Sequence, residues 1–182
     1  MTPSFVHLRI HTEFSLVDGL VKIKKLPGKL EALNMPALAI TDESNMFALV
    51  KFYKTMQGAG IKPISGADIW LENEADPARP YRMTLLAMNN TGYRNLTELV
   101  SRGYLEGQHQ GRNILKDAWL IEQSEGLIAL SGAKEGEVGS LLVGGHYPEA
   151  REALGKWMQV FPNRFYLELQ RTFRADDELC VH

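Results

Sequence analysis

Apolar residues fall in six short runs along the chain, at residues 5–10, 37–40, 61–71, 83–87, 127–130 and 165–169. Several are apolar at nearly every position, the pattern of strands covered on both faces, as in a parallel sheet or barrel. The third run is broken at Gly66. Between the runs the spacing becomes helical. Met46, Leu49, Val50, Tyr53 and Met56 share one helical face, which Asn45 can cap and Gly58 and Gly60 can end. Phe52 and Tyr53 read as core. Tyr93, Leu96, Leu99 and Val100 form a second stripe. Ala150, Ala153, Leu154, Trp157 and Phe161 form a third, between Pro148 and Pro162, and a shorter helix over residues 29–33 follows Pro27. Strand–helix alternation at this spacing predicts an α/β fold with parallel strands, whose function sits in the loops after the carboxyl ends of the strands. Two stretches break the pattern. Residues 72–80, acidic and Pro-containing, predict an exposed loop, and residues 103–112, with Gly103, Gly107 and Gly111, predict a mobile connection. No repeat or linker divides the chain, so one domain is expected.

Composition narrows the function classes. The 182 residues are 45% apolar and 23% charged, with a formal net charge of -2, ordinary for a globular domain. Sequence-independent DNA binding rests on Lys and Arg neutralising phosphates, so such a chain is a poor DNA clamp by itself. The single cysteine, Cys180, excludes an intrachain disulfide and fits a reducing cytoplasm. No apolar run reaches the roughly 18 residues of a membrane span, and the N-terminus lacks the basic and apolar regions of a secretory signal.

The candidate chemistry follows the strands. His7, Arg9 and His11 alternate along the first, which places them on one side. Glu13, Ser15 and Asp18 come next, Thr41-Asp42-Glu43-Ser44 follows the second strand, Asp68 lies on the third, Arg82 opens the fourth, and Ser131-Gly132-Ala133 follows the fifth. In a barrel these groups converge on one mouth. Convergent imidazoles and carboxylates are what hard or borderline cations need, and paired cations serve phosphate-ester hydrolysis. The competing reading is structural, because Asp after a strand is a common turn former or helix cap. Lys22, Lys24 and Lys25 read as a solvated face. Ser131-Gly132 lacks the nucleophile elbow of serine hydrolases, and Gly139, Gly144 and Gly145 form no phosphate-cradling fingerprint.

These residues carry a resemblance. FVHLRIHTEFSLVDG is similar to the opening motif of the polymerase-and-histidinol-phosphatase (PHP) domains at the N-terminus of bacterial replicative polymerase III alpha subunits. PALAITDESNMFALVKFYKTMQGAGIKPISGADIWL resembles the second block, usually built around Thr-Asp-His-Gly-Asn and Gly-x-Glu. TLLAMNNTGYRNLTELVSRGYLEG and EGLIALSGAKEGEVG resemble the third and fourth. The resemblance implies a distorted seven-stranded β/α barrel, incomplete here before its last strands, and a fragment of a longer chain.

It also implies which positions would ligate metal. The family's His-x-His pair falls on Arg9 and His11, with His7 as a non-ligand histidine. Its first-loop aspartate is Asp18. Asp42 is kept, Glu43 stands where a histidine is usual, and the Gly-x-Glu acid is Asp68. Arg82 replaces an expected histidine and Ala133 an expected cysteine. Arginine has five donors, no acceptor and a permanent charge, so it cannot ligate a metal. His11, Asp18, Asp42 and Asp68 are therefore expected to be vestigial, with no metal and no catalytic residue in this segment. Guanidinium–carboxylate pairs are expected in place of cations. The resemblance implies a scaffold that docks the proofreading exonuclease and, through the whole protein, other replicase subunits and DNA. Magnesium and DNA-directed nucleotidyl transfer are expected in later domains. The alternative is an active metal-dependent phosphoesterase or 3′–5′ exonuclease.

Overall fold

The computed structural model describes residues 5–15 and 19–170. The chain divides into two compact units, residues 1–68 and 69–182.

In the first unit, α1 (Leu26–Ala32), β1 (Ala37–Ile40), α2 (Leu49–Gly58) and the front of β2 (Lys62–Leu71) follow one another. β1 and β2 are parallel, with Ala37 opposite Lys62 and Ile40 opposite Ser65. The core includes Ile23, Leu30, Leu38, Phe52, Met56 and Ile61. β2 is continuous through the expected break, with Gly66 buried within it.

Three expectations fail here. The first apolar run does not form a strand ladder. His7 and Ile10 each accept from β1, through the N–H groups of Ala39 (3.0 Å) and Thr41 (2.9 Å). Carbonyls three residues apart meet donors two apart, so one extra residue is accommodated, as in a bulge. Ile10 N–H turns instead to the Thr41 hydroxyl, at 3.1 Å. Asn45 is also not a helix cap. Its Oδ1 accepts from Phe47 N–H, and its Nδ2 donates to the carbonyls of Phe14 and Glu43, while α2 begins four residues later. α2 buries Leu49, Phe52 and Met56. Val50 and Tyr53, expected on the buried face, are 65% and 43% exposed.

The second unit contains the end of β2, then β3 (Tyr81–Ala87), α3 (Asn90–Glu106), β4 (Gln108–His109), β5 (Arg112–Leu115), α4 (Asp117–Glu122), β6 (Leu127–Leu130), α5 (Glu137–Val143), α6 (Tyr147–Val160) and β7 (Phe165–Tyr166). The strand order is β4-β5-β2-β3-β6-β7. The sheet is mixed. β2–β5 and β6–β7 are parallel, as expected, whereas β3–β6 and β4–β5 are antiparallel, which the sequence pattern did not indicate.

α3 starts where Asn89 Oδ1 accepts from Gly92 N–H at 3.0 Å and buries Leu96, Leu99 and Val100, with Tyr93 left 43% exposed. Gly92 lets this helix press on the Gly126 carbonyl, a space a Cβ would fill. α6 has Pro148 in its first turn and buries Ala150, Ala153 and Trp157. The expected mobile connection is ordered: α3 runs through Glu106, and β4 and β5 form a hairpin. Gln110 (φ 50°) and Gly111 (φ 77°) make its turn, with His109 paired to Arg112. Gln-Gly satisfies the backbone of a two-residue turn without the Asn-Gly signature that would have announced it. β7 stops at Tyr166, short of residue 169, because the next donor, Glu168 N–H, goes to the Ser131 hydroxyl at 2.9 Å. No described helix is long and apolar enough to cross a membrane.

Candidate functional site, a carboxylate pair in the first unit

The loop after β1 brings Asp42-Glu43-Ser44 against the middle of β2. Asp68 N–H donates to the Asp42 carbonyl (3.2 Å) and Ser44 N–H to the Asp68 carbonyl (2.7 Å), and Glu43 bridges Asp68 in parallel sense. The two aspartates are thus fixed on neighbouring stretches of backbone. Both are buried, at 1% and 0% exposure.

Their side chains have different partners. Asp68 Oδ2 accepts from Arg9 Nε at 2.7 Å and lies 2.6 Å from His11 Nε2. The Arg9 and His11 side chains are themselves only 16% and 13% exposed. Asp42 instead holds the segment after the first run. Its Oδ1 accepts from Thr12 N–H at 2.6 Å and from the Ser15 hydroxyl at 2.7 Å, and the Thr12 hydroxyl reaches Oδ2 at 2.8 Å. The 3-10 turn Glu13–Ser15 is thereby tied to the strand end, and Ser15 Oγ in turn accepts from Glu43 N–H.

Of the histidines and arginine on the first run, Arg9 and His11 converge on Asp68. His7 is exposed, with its ring edge-on to Phe5 at 4.8 Å. The extra residue between His7 and Ile10 breaks the alternation that would have aligned all three. Asp18 lies outside the described residues.

Arg82 and Ala133 belong to the second unit. Arg82 Nη1 donates to Glu135 Oε2 at 2.9 Å, and its guanidinium lies 4.5 Å from the centre of the Trp70 ring. Ala133 is buried, at φ 49°, at the start of the turn Ala133–Glu135. That turn wraps the Arg82 carbonyl so closely that Gly132 (φ 75°) has no room for a Cβ. Thr12 and Glu135 were missed in the sequence. Nothing in their local spacing marks a threonine as a carboxylate donor or a turn glutamate as an arginine partner.

A cation at this place would need lone pairs on the carboxylates. The Asp68 oxygen nearest His11 faces a permanent guanidinium charge, and both Asp42 oxygens accept from Thr12, with Ser15 also on Oδ1. A guanidinium and a metal ion repel one another and compete for the same oxygen. This donor set suits charge-assisted hydrogen bonding better than coordination.

A mixed α/β chain with carboxylates and histidine placed this way defines a class. The PHP domain model matches residues 7–172, and the chain belongs to that family. Its relatives are more particular. It is 59% identical to the DNA polymerase III subunit alpha of Pseudomonas aeruginosa over 182 residues, all of this chain and 16% of that protein. It is 48% identical to the Vibrio cholerae subunit over 180 residues and 47% identical to that of Escherichia coli K12 over 180, again covering 99% of this chain and 16% of each relative. The chain therefore spans about a sixth of the length of the curated relatives it matches.

Proposed function

We propose that this chain is the N-terminal PHP segment of the catalytic alpha subunit of a replicative DNA polymerase, and that the segment is a metal-free scaffold that docks the proofreading exonuclease. The whole protein extends a DNA 3′ end by template-directed nucleotidyl transfer, with magnesium held in later domains. The segment performs no chemistry.

Family membership and the full-chain match to alpha subunits support the first part. One observation carries the second: Asp68 Oδ2 is shared by Arg9 and His11. A hydrolytic centre uses its carboxylates to hold cations that polarise a phosphate ester and activate water. Here a fixed positive charge stands at that carboxylate. In the second unit the Arg82–Glu135 pair, stacked on Trp70, fills an expected histidine position with another guanidinium.

The test is elemental analysis of the purified protein together with a phosphoesterase assay in added manganese. The expected result is no stoichiometric zinc or manganese and no turnover above buffer. Bound metal, with turnover lost on Asp42→Ala, would establish the active phosphoesterase instead.

A further inference from the structure

The loop that carries Asp42 continues into a surface feature that neither the sheet nor the carboxylate pair uses. Phe47, Val50 and Tyr53 follow one another at three-residue spacing into and along α2, and are 65%, 65% and 43% exposed. The opposite side of the helix is closed by Leu49, Phe52 and Met56. Isolated exposed apolar residues are ordinary, but a contiguous apolar stripe marks contact with another molecule.

The stripe is held in place. Asn45, 3% exposed, accepts from Phe47 N–H at 3.1 Å and donates to the carbonyls of Phe14 at 3.1 Å and Glu43 at 2.9 Å. Leu49 N–H closes the turn on the Met46 carbonyl. A buried amide thus spends its hydrogen bonds on a turn whose tip is an exposed phenyl ring, and such preorganisation lowers the entropic cost of docking.

The surroundings are cationic. Lys51 and Lys54 are exposed on α2, and Lys24 and Lys25 on the 3-10 turn beside it. Among the described residues of the first unit the exposed lysines also include Lys22, Lys29 and Lys62, against two exposed acids, Glu31 and Glu13, the latter 3.6 Å from Lys51 in a solvent-screened pair that an incoming acidic group can replace. Apolar centre and lysine fringe together select an amphipathic segment with acidic flanks. Duplex DNA fits less well, since Val50 offers a phosphate nothing and no arginine joins the lysines.

We infer that the outer face of α2 docks an amphipathic helix of a partner protein, its apolar stripe on Phe47, Val50 and Tyr53 and its acidic flank against Lys51 and Lys54. This rests on the proposal that the segment is a docking module in the replicase. The test uses the full-length polypeptide with Phe47, or as a control Tyr104 on the exposed side of α3, replaced by the photo-crosslinking analogue p-benzoylphenylalanine. The probe is the purified proofreading exonuclease subunit, with duplex DNA in a parallel arm. The expected result is an exonuclease adduct from position 47 and not from 104. Val50→Ser and Lys54→Glu should each weaken the complex about tenfold, a loss of hot-spot size, and Lys54→Arg should leave it intact. These positions are exposed, so the variants keep the fold, which circular dichroism verifies. Full binding with no adduct at 47 and neutral variants would overturn the surface while leaving the docking function standing. No binding by the unmodified polypeptide would overturn both, and an adduct to DNA alone would overturn the partner class.

Discussion

Asp68 is the residue on which the first unit's polar chemistry turns. Its carboxylate has no contact with solvent and is balanced by Arg9. Removing one partner of a buried pair leaves the other charge uncompensated, which costs more than replacing both with apolar groups. Arg9→Ala should therefore lose about 3 kcal/mol of stability in urea unfolding, and Arg9→Met combined with Asp68→Leu should lose less. A double variant weaker than the single one would show that the pair stabilises beyond compensating its own burial. Ser44 offers a change of opposite sign. It stands at φ 52°, a left-handed conformation that costs an L-residue about 1–2 kcal/mol. In the motif this stretch resembles, the position is glycine. Ser44→Gly should keep the Ser44 N–H bond to Asp68 and raise stability by about 1 kcal/mol, read as a shift in urea midpoint at unchanged slope. At this scale the sequence was partly legible. Arg9, His11, Asp42 and Asp68 stand out by residue type at strand ends, and three of them do meet. That Asp42 would be satisfied by Thr12 and Ser15 depends on how the 3-10 turn folds over it, which no spacing encodes.

Strands with an unbroken apolar run and helices with a long apolar stripe were readable, and the shortest helices were not. β1 and β6 fall on the expected residues, and α3 and α6 follow their stripes. α4 and α5, of six and seven residues, have too few turns to show a period, and their stability comes from tertiary contacts. One such contact joins them. Lys156 on α6 bonds Asp117 in the first turn of α4 (2.9 Å) and Glu137 in the first turn of α5 (3.0 Å), and the Trp157 indole donates to Glu137 at 2.7 Å. Burial alone would lower the Lys156 pKa, but its hydrogen bonds to Glu137 and Asp117 prevail and raise it above 10.5. Burial and the charge of Glu137 likewise raise Tyr81 above 10.0. Both groups hold their protons more tightly folded than unfolded. Their contribution is complete below the ordinary lysine and tyrosine range and declines as pH climbs through the raised values. Burial also raises Asp117, against the pull of Lys156, so its ionisation disfavours the fold as pH rises through the carboxylate range, opposite to an ordinary paired aspartate. The melting temperature should fall steeply above about pH 10, and Lys156→Met should flatten that fall. An unchanged alkaline slope in the variant would show that Lys156 is not its source.

Across the whole molecule, charge is divided unevenly. Residues 1–68 hold 8 Lys and Arg against 6 Asp and Glu, and residues 69–182 hold 12 against 16. The net charge of -2 thus hides a basic first unit and an acidic second one, an asymmetry visible in the sequence only once the fold says where to cut. Several basic groups are already engaged by the chain itself. Arg9 and Arg82 face carboxylates, and Arg102 lies 4.4 Å from the centre of the Trp119 ring. A phosphate backbone would have to compete with these partners and with the repulsion of the acidic unit. Counterion release rewards only the cations that reach phosphates. The 182-residue chain should therefore bind duplex DNA no more tightly than about 10⁻⁴ M at physiological salt, the weak end of non-specific binding. Fluorescence anisotropy of a labelled duplex, titrated at several salt concentrations, measures this directly. Micromolar binding with a steep salt slope would mean that the lysines around α2 track a DNA backbone. The apolar stripe between them would then be incidental, and this chain would itself contribute to DNA binding.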